Sequence, residues 1–142
     1  MGISFQVTMD AADPAALGEF WKLALGYRED DPPPGFATWD QALANIPEER
    51  RNDAYAAIDP DGAGPRVFFL KVPEGKTAKN RVHLDVGVGR GIADTDERGR
   101  KVREHVGKLV AAGGSMVEDR TDEWGGAWTV MTDPEGNEFC VQ

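Results

Sequence analysis

Two residue pairs late in the chain carry chemistry: His83-x-Asp85 and Glu138-x-Cys140. Each lies in a strand-like stretch, Arg81 to Val86 and Glu138 to Val141. In an extended strand residues i and i+2 share a face, so His83 stands beside Asp85 and Glu138 beside Cys140. A carboxylate orients an imidazole and raises its pKa, which is the arrangement of an acid–base pair. His83, Asp85 and Glu138 are therefore the candidate catalytic residues; a buried structural pair of His83 and Asp85 is the competing account. Cys140 reads as a small buried thiol rather than a nucleophile, because no second histidine is placed to activate it. His105, the other histidine, falls near the apolar stripe of a helix and reads as a packing residue.

Strands must hold these side chains, and the pattern supplies them. Ile3 to Met9 alternates, with Ile3, Phe5, Val7 and Met9 on a core face and Ser4, Gln6, Thr8 and Asp10 on a polar one. Asp13 caps a helix over Pro14–Leu25, whose Leu17, Phe20, Trp21 and Ala24 form one apolar stripe and which Gly26 ends. Tyr27 to Asp31 reads as a short strand broken by Pro32-Pro33-Pro34. Thr38-x-x-Gln41 opens a short helix with Trp39, Ala42, Leu43 and Ile46 inward. Asp59-Pro60-Asp61-Gly62 then turns Tyr55–Ile58 into Val67–Leu70.

The second half repeats the plan. A strand at Arg81–Val86 and a glycine-containing loop precede a helix over about 96–112, with Val102, Val106, Leu109 and Val110 on its stripe and Gly113-Gly114 as its stop. Met116–Arg120 and Ala127–Thr132 flank a Trp124-Gly125-Gly126 turn; Trp124 and Trp128 read by default as core aromatics, the alternative being that one of them lines the cavity. Asp133-Pro134-Glu135-Gly136-Asn137 leads into the last strand; Pro134 presets φ, and Gly136 or Asn137 takes positive φ. Asp59 and Asp133 stand about half the chain apart, so the chain reads as two copies of one supersecondary unit. Aligning Phe68-Phe69-Leu70 with Glu138-Phe139-Cys140 puts Phe69 and Phe139 in the core. It turns Phe68, Leu70, Glu138 and Cys140 to the opposite face.

This βαβββ duplication, with Asp-Pro-x-Gly before each last strand, resembles the glyoxalase/bleomycin resistance/extradiol dioxygenase (vicinal oxygen chelate) superfamily. Val72-Pro73-Glu74-Gly75-Lys76, Arg81-Val82-His83-Leu84-Asp85-Val86 and Gly136-Asn137-Glu138-Phe139-Cys140-Val141 sharpen the likeness to its glyoxalase-like domain proteins. The resemblance implies an α+β fold: two βαβββ modules forming a curved, cup-like mixed sheet with helices outside. It makes residues 1–142 a single domain of two repeats, 1–78 with an insert at about 32–53, and 79–142. It further implies a metal held at four strand positions, here Gln6, Leu70, His83 and Cys140. Leu70 cannot ligate and Cys140 stands where the metalloenzymes carry Glu, so no metal or other cofactor is expected. Were a divalent ion present, Gln6, His83 and Glu138 or Cys140 would hold it. The cup is expected to bind a small organic molecule through Gln6, Thr8, Phe68, Leu70, His83 and Cys140. The alternatives are a metal-dependent lyase, isomerase or dioxygenase, and a metal-free enzyme using His83 with a carboxylate. A homodimer is expected from the same resemblance.

Composition narrows the partners. Of 142 residues 40% are hydrophobic and 29% charged, ordinary values for a globular chain. The net charge of −9 is shared by both halves, with no basic stripe, so no nucleic acid and no anionic membrane surface is expected as partner. The start lacks the features of a signal peptide, and a lone Cys suits a reducing compartment; the expectation is a cytoplasmic protein.

Overall fold

Asp13 sets the first module. Its carboxylate accepts the Ala16 N–H at 3.2 Å and the Asn52 amide at 2.7 Å, opening α1 (Pro14–Leu25). Gly26, at φ 69°, closes the helix. Leu17, Phe20, Trp21 and Ala24 are buried along the stripe that the sequence marks. Gly18 lies on the same side, where an added Cβ would meet the Tyr55 ring at 2.2 Å, so the helix rests directly on a strand.

The structure, a computed structural model, describes residues 1–142. It divides into two units, Met1–Gly75 and Lys76–Gln142. In the first, β1 (Val7–Ala11), β2 (Arg28–Glu29), β3 (Ala54–Ile58) and β4 (Val67–Lys71) form a mixed sheet of order β1-β4-β3-β2, with β1 and β4 parallel. A short helix α2 (Trp39–Leu43) and a 3-10 turn (Glu48–Arg50) separate β2 from β3. In the second, β5 (Asp85–Val86), α3 (Thr95–Ala111), β6 (Ser115–Thr121), β7 (Ala127–Thr132) and β8 (Glu138–Val141) give a sheet of order β5-β8-β7-β6, again with the first and last strands parallel. Each unit is a βαβββ module of α+β class. Val102, Val106 and Leu109 of α3 are buried, as are Thr129, Met131, Phe139 and Val141 of the sheet.

Several expectations need correction. The first strand begins at Val7, not Ile3, because pairing with the β4 side starts where the Val7 N–H reaches the Arg66 carbonyl at 2.9 Å; Ile3 and Phe5 are exposed. The last strand residue of β2 is Glu29, and Asp30 instead uses its N–H on Ala56. Thr38 does cap α2, but none of its residues is buried; Trp39 is held by its indole N–H on the Asp30 carbonyl at 2.7 Å. Only Asp85 and Val86 of the stretch 81–86 pair as strand, and Val82 is exposed rather than core. Val110 and Trp124 are also exposed: Val110 lies off the buried line of α3, and Trp124 sits at the tip of the β6–β7 turn.

The Asp-Pro-x-Gly turns share one construction. The Asp59 carboxylate accepts the N–H groups of Asp61, Ala63 and Gly64, while that of Asp133 accepts those of Glu135 and Asn137 and the Asn137 amide. Gly62 and Gly136 take the positive φ, 70° and 87°. Asp133 is buried and Asp59 is not, so the second turn depends more on its carboxylate. Asp133→Ala is expected to cost roughly 2–3 kcal/mol in urea unfolding, and Asp59→Ala less. Equal, negligible losses would show that the turns hold without their side chains.

Candidate functional site in the second module

The face of the second sheet opposite α3 is built by register. Asp85 of β5 pairs with Cys140 of β8, and Cys140 with Val130 of β7. Phe139 and Val141 point to the helix side, so Glu138, Cys140 and Gln142 take the other. Trp128, Val130 and Thr132 alternate in the same way on β7. His83 precedes the paired part of β5 and shares the face of Asp85. These residues surround a cavity of about 390 Å³ lined by Lys79, His83, Asp85, Arg120, Trp128, Val130, Glu138, Phe139, Cys140 and Gln142.

Cys140 forms its floor. It is 9% exposed, and burial raises its pKa first, with the negative Asp85 carboxylate adding to the rise by charge and by hydrogen bonding to the thiol. His83 and Asp85 stand above it, half exposed, with Nδ1 and Oδ1 3.6 Å apart. The ligand atoms of His83, Asp85 and Cys140 all lie within 4.8 Å of one another. Glu138 follows a different course. Its carboxylate accepts the Asn80 N–H at 2.9 Å and pairs with Lys76 at 3.1 Å. Donation from the Asn80 backbone, reinforced by Lys76, holds its pKa down at about 2. A carboxyl so far below neutrality stays ionised and anchors the segment before β5.

The first-module residues have their own partners. The Gln6 amide oxygen accepts the Arg66 guanidinium at 3.0 Å, and its nitrogen lies 3.5 Å from Thr8 Oγ1. Arg66 also pairs with Asp30 at 2.7 Å and lies over the Phe68 ring at 5.2 Å. Thr8 pairs with Phe68 and Asp10 with Leu70 across the parallel ladder. That register corrects the repeat alignment. If Leu70 matches Cys140, then Asp10 matches Asp85, and Thr8 rather than Gln6 matches His83. Gln6 over His83 would instead put Phe68 at the place of Cys140, so one offset along the chain does not carry both strands.

Sequence reasoning missed Arg66, Arg120, Val130 and Gln142; of the two tryptophans it read as core or cavity-lining, Trp128 borders the cavity. The alternation of β7 was visible, but which of its faces turned to Cys140 depended on the pairing with β8. Arg120 reaches the cavity opposite Trp128 while also pairing with Glu118.

A sequence model of the glyoxalase-like domain matches residues 6–142. The chain belongs to the glyoxalase-like domain family. Its fold is that of the glyoxalase/bleomycin resistance/dioxygenase superfamily. A glyoxalase/bleomycin resistance protein/dioxygenase family enzyme from Burkholderia phytofirmans superposes with a TM-score of 0.64 at 16% identity, over 96% of this chain and 94% of that one. The fosfomycin resistance protein FosX from Mesorhizobium loti gives 0.60 at 18% identity, over 99% and 90%. FosX from Listeria monocytogenes, in complex with Mn(II) and 1S,2S-dihydroxypropylphosphonic acid, gives 0.64 at 13%, over 99% and 88%. At these identities the likeness is one of fold. No curated protein matches the chain in sequence. No helix is long and apolar enough to cross a membrane.

The four family positions do not fit a divalent ion here. Leu70 offers no donor atom, and the oxygen of Gln6 is already turned to a guanidinium. The expectation of a metal-free protein weighed those positions and Glu138; Asp85 was not weighed, and its carboxylate lies with the ligand atoms of His83 and Cys140 within 4.8 Å of one another.

The Glu138 clasp has a pH signature. Its folded pKa lies below the ordinary 4.5, so its contribution is complete above about pH 4.5 and is lost as pH falls towards 2. The protection factor of the Asn80 amide, measured against the unstructured exchange rate at the same pH, is expected to fall over that window in the native protein. In Glu138→Gln it should start low and lose the acid step. An Asn80 amide indifferent to both acid and substitution would contradict the clasp.

Proposed function

We propose that the chain binds a small organic molecule with an apolar body and an anionic end in the second-module cavity. The observation that supports this is the mixed lining. Trp128, Val130 and Cys140 offer an apolar floor, while Lys79 and Arg120 bring two cations to an otherwise acidic chain. A cavity of about 390 Å³ falls within the range of small-molecule sites, where a few placed polar groups fix orientation. The Trp128 ring supplies a broad contact surface, and a guanidinium is suited to a carboxylate or a similar planar anion. His83 and Asp85 border the same space and would meet the bound molecule's polar end.

Ligand-observed NMR with a panel of small aromatic carboxylates and their uncharged amides tests the reading. Carboxylates are expected to bind more tightly than the amides. Arg120→Ala should weaken them about tenfold, in line with losing one charge-assisted contact, and Trp128→Ala should weaken acid and amide alike. Equal binding of acids and amides that Arg120→Ala leaves untouched would refute an anion-selective cavity.

A further inference from the structure

We propose that the end of the second module where the β5–α3 loop meets the β6–β7 turn is a further binding site, for a planar ring that carries a phosphate monoester, a mononucleotide being the type. The inference does not rest on the small-molecule reading above, because this hollow shares only Trp128 and Gln142 with that cavity. It measures about 560 Å³, within the range of small-molecule sites, and lies wholly inside residues 87–142. Two arginines on different elements reach it, Arg90 from the loop and Arg98 from α3. Arg28, Arg50, Arg66, Arg100 and Arg120 each pair with a carboxylate, whereas Arg90 and Arg98 pair with none. The Arg98 stem lies across the loop: a Cβ added at the buried Gly89 would meet its Cγ at 2.5 Å, so glycine there permits the approach. One guanidinium nitrogen of Arg98 donates to the Ile92 carbonyl at 3.3 Å, which leaves its other N–H groups for a ligand. A Cβ at Gly87 would lie 3.7 Å from Arg90 Nε, so the second guanidinium stands against the same loop.

The two guanidinium groups and Trp124 select the ligand. A phosphate monoester carries close to two negative charges and three acceptor oxygens, enough to engage two guanidinium forks at once, while a carboxylate suits a single fork. Trp124 stands at the rim and is 86% exposed, so nearly its whole ring is open to a stacking partner. Its backbone is held by the Asp122 carboxylate, which accepts the N–H groups of Trp124 at 2.9 Å and Gly126 at 2.7 Å. Asp122 is the one acid of the lining, so two guanidinium charges face one carboxylate already engaged in the turn. The start of α3 adds no attraction, because Asp96 and Glu97 occupy its first turn. A net charge of −9 disfavours a polyanion, which limits the occupant to one small phosphate rather than a nucleic-acid strand.

The test is a titration with adenosine monophosphate, followed by phosphorus and ligand-observed proton NMR, against adenosine and ribose phosphate. The nucleotide is expected to bind at least about tenfold more tightly than either fragment, because only it presents both ring and phosphate. Arg90→Ala should weaken it about tenfold, and Arg98→Lys, which keeps the charge and loses the fork, about threefold. Trp124→Ala should weaken the nucleotide at least about fivefold and leave ribose phosphate within about twofold. Lys79→Ala, which alters only the other cavity, should leave the nucleotide within about twofold, and Arg90→Ala should do the same for an aromatic carboxylate, so the two sites fail separately. Circular dichroism of each variant separates lost binding from lost folding, and the exposed Arg90 and Trp124 carry the test should Arg98→Lys not fold. The proposal is overturned by a titration that does not saturate at millimolar nucleotide in low salt, by adenosine or ribose phosphate binding as tightly as the nucleotide, or by Lys79→Ala rather than Arg90→Ala weakening it.

Discussion

The second module depends on the short parallel ladder between β5 and β8. Only two residue pairs form it, Asp85 with Cys140 and Val86 with Val141. The Cys140 N–H reaches the Leu84 carbonyl at 3.0 Å and the Gln142 N–H reaches that of Val86 at 2.9 Å. A slip of one residue would turn Cys140 towards α3 and Val141 out to the cavity. Burial of Phe139 and Val141 beneath α3 prevents this, because a slip would expose both. The Asp133 turn adds a second constraint by fixing where β8 leaves β7.

Two polar residues on that face of β8 meet different fates because of what stands next to each. Glu138 lies where the chain enters the module and is taken up by Lys76 and the Asn80 backbone. Cys140, one step further, faces Asp85 and lies below His83. Charge is thus neutralised at one end of the strand and left available at the other. The same sheet face carries Trp128 and Val130, so the group with donor atoms sits at the edge of an apolar surface.

Much of this was legible in the chain. The bounds of α1, its Asp13 cap and Gly26 stop, and the two Asp-Pro-x-Gly turns follow from local chemistry that needs no tertiary partner. Strand limits were less legible. Alternation continues through Ile3 and Phe5, but strand pairing requires a partner, and the β4 ladder starts only after Pro65. The face shared by His83 and Asp85 could be read from spacing alone. The neighbourhood of Asp85 and Cys140 could not, since it is a cross-strand register over a long separation in sequence. For that reason a reading by family positions passed over Asp85 as a donor, and repeat alignment by turns placed both Gln6 and Leu70 in a correspondence that the ladders do not share.

A crystal soaked with a small aromatic carboxylate tests the central claim most directly. The account predicts density for the acid in the second-module cavity, its ring against Trp128 and Val130 and its carboxylate at Arg120 or Lys79. Density bound elsewhere, or a carboxylate turned away from both cations, would contradict an anion-selective cavity on this sheet face.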